Sequence, residues 1–259
     1  MTSAAPSLQL LPVCGLPMIG PDSDLAAELA AAMARAGLGV EDGDILVVAQ
    51  KVVSKAEGRQ RRLADFAPSP RAQALAATVH KDPRLVEAVL SESRSVIRAV
   101  PNVLIVEHRL GHIMANAGID QSNVAARGGD DETILLLPAD PDGSARALRT
   151  RLCPPDVGRL GVIVSDSFGR PWRVGTTGVA LGIAQVPAVI DRRGEADLFG
   201  RAMQVTETGF ADAVAAAAGL AMGEGAEGVP AAIVRGLAWQ PGERTIRDGL
   251  RQAEQDLFR

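Results

Sequence analysis

Tyrosine is absent from this sequence, and aromatic residues of all kinds make up only 3% of it. A core must therefore be assembled from Ala, Val, Leu and Ile, with 27 glycines permitting close approaches. The same scarcity argues against an aromatic stacking surface for single-stranded nucleic acid. There are only two cysteines, Cys14 and Cys153, too far apart in sequence for a metal-type pair, and they read as incidental thiols of a reduced, cytoplasmic chain. Three histidines, His80, His108 and His112, are too few for a multi-histidine metal centre, although His108 and His112 are spaced to share one face of a helix. No apolar run approaches the ~20 residues of a bilayer span, and the N-terminus lacks the basic and apolar stretches of a signal peptide. The net charge of -4 argues against binding nucleic acid by backbone attraction. Neither a GxxxxGKS/T phosphate loop nor an HExxH zinc signature occurs.

What is present is 259 residues, 47% hydrophobic and 22% charged, enough for one large domain or two modest ones. The segment LQLLPVCGLPMIGP reads as a short strand and a turn. Residues 24–36 place Leu25, Leu29, Ala32 and Met33 on one helical face, and DILVVA at 44–49 is a compact buried strand. Helices are expected at 71–80 and 83–91, and strands at 103–107 and 133–137. PADPDGS reads as a turn, with Ser144 capping a helix that runs to Leu152. A buried strand in LGVIVSDSFGRPWR runs into Asp166 and Ser167. An alanine-rich helix is expected at 209–222, a strand at 231–234 and a terminal helix at 245–257. Strands and helices alternate, but irregular Gly/Pro-rich connections spoil a βαβ repeat, which favours a mixed α/β or α+β architecture. A weak composition boundary near Pro154 and Pro155 suggests two coupled lobes.

Three acidic residues, Asp120, Asp166 and Glu224, stand at edges of expected elements among small neighbours. With the Ser167 hydroxyl they offer hard oxygen ligands suited to magnesium or manganese on phosphates, or else they are turn and cap residues. Lys51 and Lys55 project from one side if KVVSKAEGR is helical, and are suited to neutralising a triphosphate or to lining a solvated face. SDSFGRPWRVG reads as an irregular turn buried by Phe168 and Trp172, with Arg170 and Arg173 outside, dense in residue types unusual for a mere connector.

The segments GLPMIG, GDILVVAQKVVSKAEGR, NAGIDQSN, LLLPADPDGSA, VIVSDSFGRPWRVG, DRRGEADLFGR and MGEGAEGVPAAIVRG span nearly the whole chain. Together they resemble the coenzyme F420:L-glutamate ligases, also called coenzyme F420-0 gamma-glutamyl ligases. The resemblance implies an α+β fold peculiar to that family, in an intertwined homodimer, over a single ligase region spanning 1–259 with a lobe boundary near 154; some relatives carry a nitroreductase-like domain, and none is expected here. It implies GTP-dependent addition of L-glutamate to coenzyme F420-0, then of a second glutamate by a gamma linkage, through an acyl phosphate. The nucleotide contacts it implies are Leu16, Pro17, Met18, Ile19, Gln50, Lys51, Lys55, Asn123 and Met222 to Val229, a loop comprising Met222, Gly223, Glu224, Gly225, Ala226, Glu227, Gly228 and Val229. The cation ligands are Asp120, Asp166, Ser167 and Glu224, for two Mg2+ or Mn2+ ions, with K+ a further candidate. Lys51, Lys55, Arg170 and Arg173 are the catalytic candidates, the lysines steadying the triphosphate and the arginines holding the acidic acceptor or glutamate. Ser167 stands where many relatives carry threonine and keeps the hydroxyl, while Arg192 or Arg193 stands where an aromatic residue is common. The other readings are a ligase for another acidic acceptor and a GTP-binding sensor without turnover.

Overall fold

A computed structural model describes residues 7–122, 124, 132–242 and 244–256. In chain order its elements are β1 (Gln9–Pro12), α1 (Leu25–Arg35), β2 (Asp44–Ala49), α2 (Gln50–Ala56), β3 (Gln60–Arg62), α3 (Pro70–Val79), α4 (Pro83–Ser91), β4 (Ser93–Val100), β5 (Val103–His108), β6 (Ile113–Ala115), β7 (Thr133–Leu135), α5 (Pro141–Leu152), β8 (Leu160–Arg170), β9 (Arg173–Ala184), β10 (Val189–Asp191), β11 (Glu207–Gly209), α6 (Phe210–Met222) and β12 (Ala231–Arg235). The fold is mixed α+β.

Five strands form the main sheet in the order β1-β12-β2-β8-β9. Only β2 and β8 run parallel; the other neighbours are antiparallel. Side chains alternate across a strand, so β2 sends Leu46 and Val48 to one face and Ile45 and Val47 to the other. The first face packs on Leu25, Leu29 and Met33 of α1 and on Ala145, Leu148 and Leu152 of α5. The second packs on Phe210, Val214, Ala215 and Ala218 of α6, and on Trp239. Burial on both faces explains why the residues after Asp44 in DILVVA form an unbroken apolar run.

Two glycines let helices lie close on β9. A Cβ at Gly182 would collide with the backbone of Pro141 in α5, and one at Gly178 would meet the Ala215 carbonyl in α6. These contacts fall on opposite faces because Val164 pairs with Gly182 while Ser165 pairs with Ala180, an irregularity that places one extra residue, Leu181, in β9. The remaining sheets are β4-β5-β6, β3-β7 and β10-β11. The first is covered by Ala72, Ala76 and Val79 of α3 and Val86 and Val89 of α4.

Several expectations need correction. Ser144 does not cap α5: Asp140 does, accepting from Gly143 N–H, and PADPDGS supplies the first turn, with Pro141 at its start. The segment expected as an irregular turn is the end of β8, a tight turn and the start of β9, and Trp172 is exposed rather than buried. No helix spans 245–257; the described part has only short 3-10 turns at Ile246–Gly249 and Ala253–Gln255, with Ile246 buried and Gly249 interrupting the apolar spacing a helix would need. His108 and His112 share no helix, because His108 ends β5 and its N–H donates to the His112 carbonyl in the connection to β6. Cys14 and Cys153 are both free thiols. Among the described residues no helix is long and apolar enough to cross a membrane.

Candidate functional site

The parallel pairing of β2 with β8 ends at the carboxyl end of β2, with Ala49 opposite Ser165, while β8 runs on to Arg170. Asp166 follows at once, inside β8 rather than at its edge as expected. The chain leaving β2 turns directly into α2. Strand β12 runs the other way, so its entry is at the same edge: Ala49 N–H donates to the Pro230 carbonyl at 2.8 Å. The exit of β1 is there too, Val13 N–H donating to the Ala231 carbonyl at 2.8 Å. The turn after β1, the start of α2, Asp166 and the loop between α6 and β12 thus converge on one edge, the place where strand carboxyl ends expose backbone and loops for a ligand.

Asp120 reaches this edge from the smaller sheets. A two-way backbone bridge to Leu135 holds it, N–H to carbonyl at 3.0 Å and back at 2.9 Å. Its Oδ2 accepts from Gln50 Nε2 at 2.8 Å and lies 3.5 Å from Lys51 Nζ. Lys51 Nζ also donates to the Ser122 carbonyl at 3.4 Å. One turn further along α2, Lys55 is buried, and burial, then the Lys51 charge, lower its pKa against the opposing pull of Asp120. The helical spacing expected for the two lysines is therefore realised.

Burial raises the Asp166 carboxyl to about 7, helped by the negative charges of Asp120 and, more weakly, Glu224, while the Ser167 backbone N–H and Lys51 oppose the shift. Asp120 is raised as well, by burial, with Lys51 and Gln50 opposing. Ser167 Oγ donates to Glu224 Oε1 at 2.6 Å, tying β8 to the loop that follows α6. In that loop Gly223 has a φ of 75°, and Glu227 folds back to accept from Gly225 N–H at 2.7 Å.

Comparisons with known proteins identify the family. A family model described as F420-0:Gamma-glutamyl ligase matches residues 15–236. The chain is 43% identical over 254 residues to the coenzyme F420:L-glutamate ligase of Methanothermobacter thermautotrophicus, covering 97% of this chain and 99% of that one. It is 45% identical over 252 residues to the ligase of the same name from Archaeoglobus fulgidus, covering 97% and 96%. The corresponding Methanopyrus kandleri protein is 44% identical over 258 residues, with 98% of each chain covered. The chain belongs to the F420-0:gamma-glutamyl ligase family.

The family's expected site residues fall in different settings. Leu16 and Ile19 face the core, leaving Pro17 and Met18 exposed in the turn after β1. Met222, the last residue of α6, is buried, whereas Gly223, Glu224, Gly225, Ala226, Glu227 and Gly228 are exposed and Val229 is half-buried. Asn123 lies outside the described residues. Arg170 and Arg173 face each other as the last pair of the β8–β9 hairpin. That puts Arg170 roughly 13 Å along the strand from Asp166, at ~3.3 Å per residue. Arg193 pairs with Asp191 at 2.6 Å and Glu207 at 3.4 Å, and Arg192 with Glu195 at 3.2 Å.

Among the described residues no group of three or more His, Cys, Asp or Glu side chains is close enough to form a ready metal cage. The donor chemistry nevertheless fits a divalent cation. Carboxylate and hydroxyl oxygens are hard ligands, and Asp166 is disfavoured as an anion both by burial and by two neighbouring carboxylates, a penalty that a cation would relieve. Sequence reasoning passed over Ser54, which is fully buried and donates to Gln50 Oε1 at 2.9 Å; the four-residue spacing in QKVVS was the available signal.

Proposed function

We propose that this chain joins L-glutamate to coenzyme F420-0 at the expense of GTP, giving F420-1 and then F420-2 through a gamma linkage. Family membership supports the activity, and the observation carrying the location is the convergence of Asp120, Asp166, Lys51, Lys55 and the Ser167–Glu224 pair on one sheet edge. A carboxylate is a poor electrophile, so the acceptor is activated first. Its oxygen attacks the γ-phosphorus, the bond to the β-phosphate oxygen breaks, and GDP leaves with that electron pair. The glutamate amine then attacks the acyl carbon, inorganic phosphate departs, and the nitrogen gives up a proton to leave an amide.

In this reading the protein aligns reactants and balances phosphoryl charge. Lys51 and Lys55 steady the triphosphate. Leu16 to Ile19, Gln50, Asn123 and Met222 to Val229 surround the nucleotide, and Arg170 and Arg173 receive the acidic acceptor or glutamate. Asp120, Asp166, Ser167 and Glu224 would hold Mg2+ or Mn2+, two ions per site, which when bound supply positive charge to the phosphates.

A homodimer belongs to the same proposal. Trp172, Val174, Leu198, Phe199 and Val205 are large apolar side chains left exposed on the β8–β9 hairpin and the 191–206 segment, and a second copy of the chain would cover them. Two lobes meeting near residue 154 would be coupled through the parallel β2–β8 pair. The test is phosphate release from GTP with acceptor and glutamate each omitted. Release that needs both supports the ligase; nucleotide binding with no release under any condition makes the chain a sensor, and release with a different acidic acceptor moves the substrate.

A further inference from the structure

We infer that Ser54 is a positioning residue for Asp120, acting through the side chain of Gln50. The inference rests on the proposal that Asp120 belongs to the cation and nucleotide site. Ser54 and Gln50 are four residues apart on α2 and share one face. Their side chains are 0% and 1% exposed. A serine within a helix ordinarily returns its hydroxyl to the backbone carbonyl four residues earlier. Ser54 donates instead to the side-chain oxygen of that residue, at 2.9 Å, and the nitrogen at the other end of the same carboxamide donates to Asp120 Oδ2 at 2.8 Å.

The order of these groups is chemically directed. An ionised carboxylate only accepts, so the amide must turn its NH2 group to Asp120, which points its oxygen into the protein. Ser54 is the donor that satisfies this oxygen. Without the hydroxyl, Gln50 Oε1 is left buried with no donor, a state that costs more than the hydrogen bond itself contributes. The amide then turns toward other donors and loosens its hold on Asp120. Partners that orient a metal ligand affect affinity without touching the ion, and the chain from Ser54 through Gln50 to Asp120 has that form.

The experiment measures Mn2+ affinity by calorimetry on the full-length protein with saturating GDP, with thermal melting run on every variant. Ser54→Ala is expected to weaken Mn2+ binding about 5- to 10-fold, and Ser54→Thr, which keeps the hydroxyl, to restore it. Gln50→Leu is expected to weaken binding at least as much, and the double variant Ser54→Ala/Gln50→Leu no more than Gln50→Leu alone, because the serine acts only through the glutamine. Should Ser54→Ala fail to fold, Ser54→Cys, of similar volume and weaker as a donor, takes its place under the same criteria. Unchanged affinity in the serine variant, or losses that multiply in the double variant, overturns the positioning role while leaving the site reading intact. Asp120→Asn separates the two: wild-type affinity in that variant, or no Mn2+ binding by the wild-type protein, overturns the site reading and the inference with it.

Discussion

Ser167 and Glu224, 57 residues apart in the chain, are joined by a 2.6 Å hydrogen bond from hydroxyl to carboxylate. The bond crosses from the main sheet to the loop between α6 and β12, and it fixes an exposed acidic side chain whose charge reaches Asp166. If this pair orients oxygen ligands, Ser167→Ala should lower turnover by about 10- to 100-fold with little change in melting temperature. Ser167→Thr should stay near wild type. Steady-state rates and thermal melts of both variants check this.

Asp166 gives a pH dependence with a definite sign. Its folded pKa of about 7 lies above the ordinary carboxylate value, so the metal-free native state holds a proton that the unfolded chain has released between those values. Stability of the metal-free protein therefore falls as pH rises from about 4 to about 7. Asp166→Asn, which cannot ionise, should raise the metal-free melting temperature by a few degrees at about pH 8 and hardly change it at about pH 5. Cation affinity of the wild-type protein should run the other way, weakening as pH drops below about 7, since the ligand must lose its proton. Melts at the two pH values and Mn2+ titrations across that range read both effects.

Gly182→Ala tests the packing that carries the site. The added methyl would press on the backbone of Pro141, which cannot swing aside as a side chain would. A destabilisation of about 3 kcal/mol or more is expected, measured as a lower urea midpoint with an unchanged slope.

The exposed apolar side chains of the β8–β9 hairpin and the 191–206 segment make a prediction about assembly. Trp172 is 85% exposed and Phe199 88%, so Trp172→Asp with Phe199→Asp should leave the monomer's secondary structure unchanged while halving the mass seen by light scattering. A wild-type protein that is already monomeric would remove the dimer from the account.

The parts of the fold legible in the sequence were those with strong local rules. After Asp44, DILVVA is apolar because both faces are covered, and Asp24 caps α1 above an apolar stripe. Strand β9 was not legible: RVGTTGVALGIA begins in solvent, carries glycines for helix contacts and shifts register at Leu181, so no alternation survives. Ser144 misled as a cap because Asp140, followed by Pro141, holds that position. For the site, family motifs picked out Asp120, Asp166 and Glu224, and the Asp166 carboxyl feels the charges of the other two. Contacts such as Gln50 to Asp120 join residues 70 apart and depend on β7 holding Asp120 in place, which no local pattern encodes.

The most direct measurement is mass-resolved product formation by wild-type and Asp166→Ala proteins with GTP, Mg2+ or Mn2+, L-glutamate and coenzyme F420-0. Successive glutamate additions by the wild type, one GDP released per addition, and none by a folded Asp166→Ala variant are expected. Wild-type rates in that variant would contradict the placement of the site, and a wild-type protein that adds no glutamate would contradict the proposed activity.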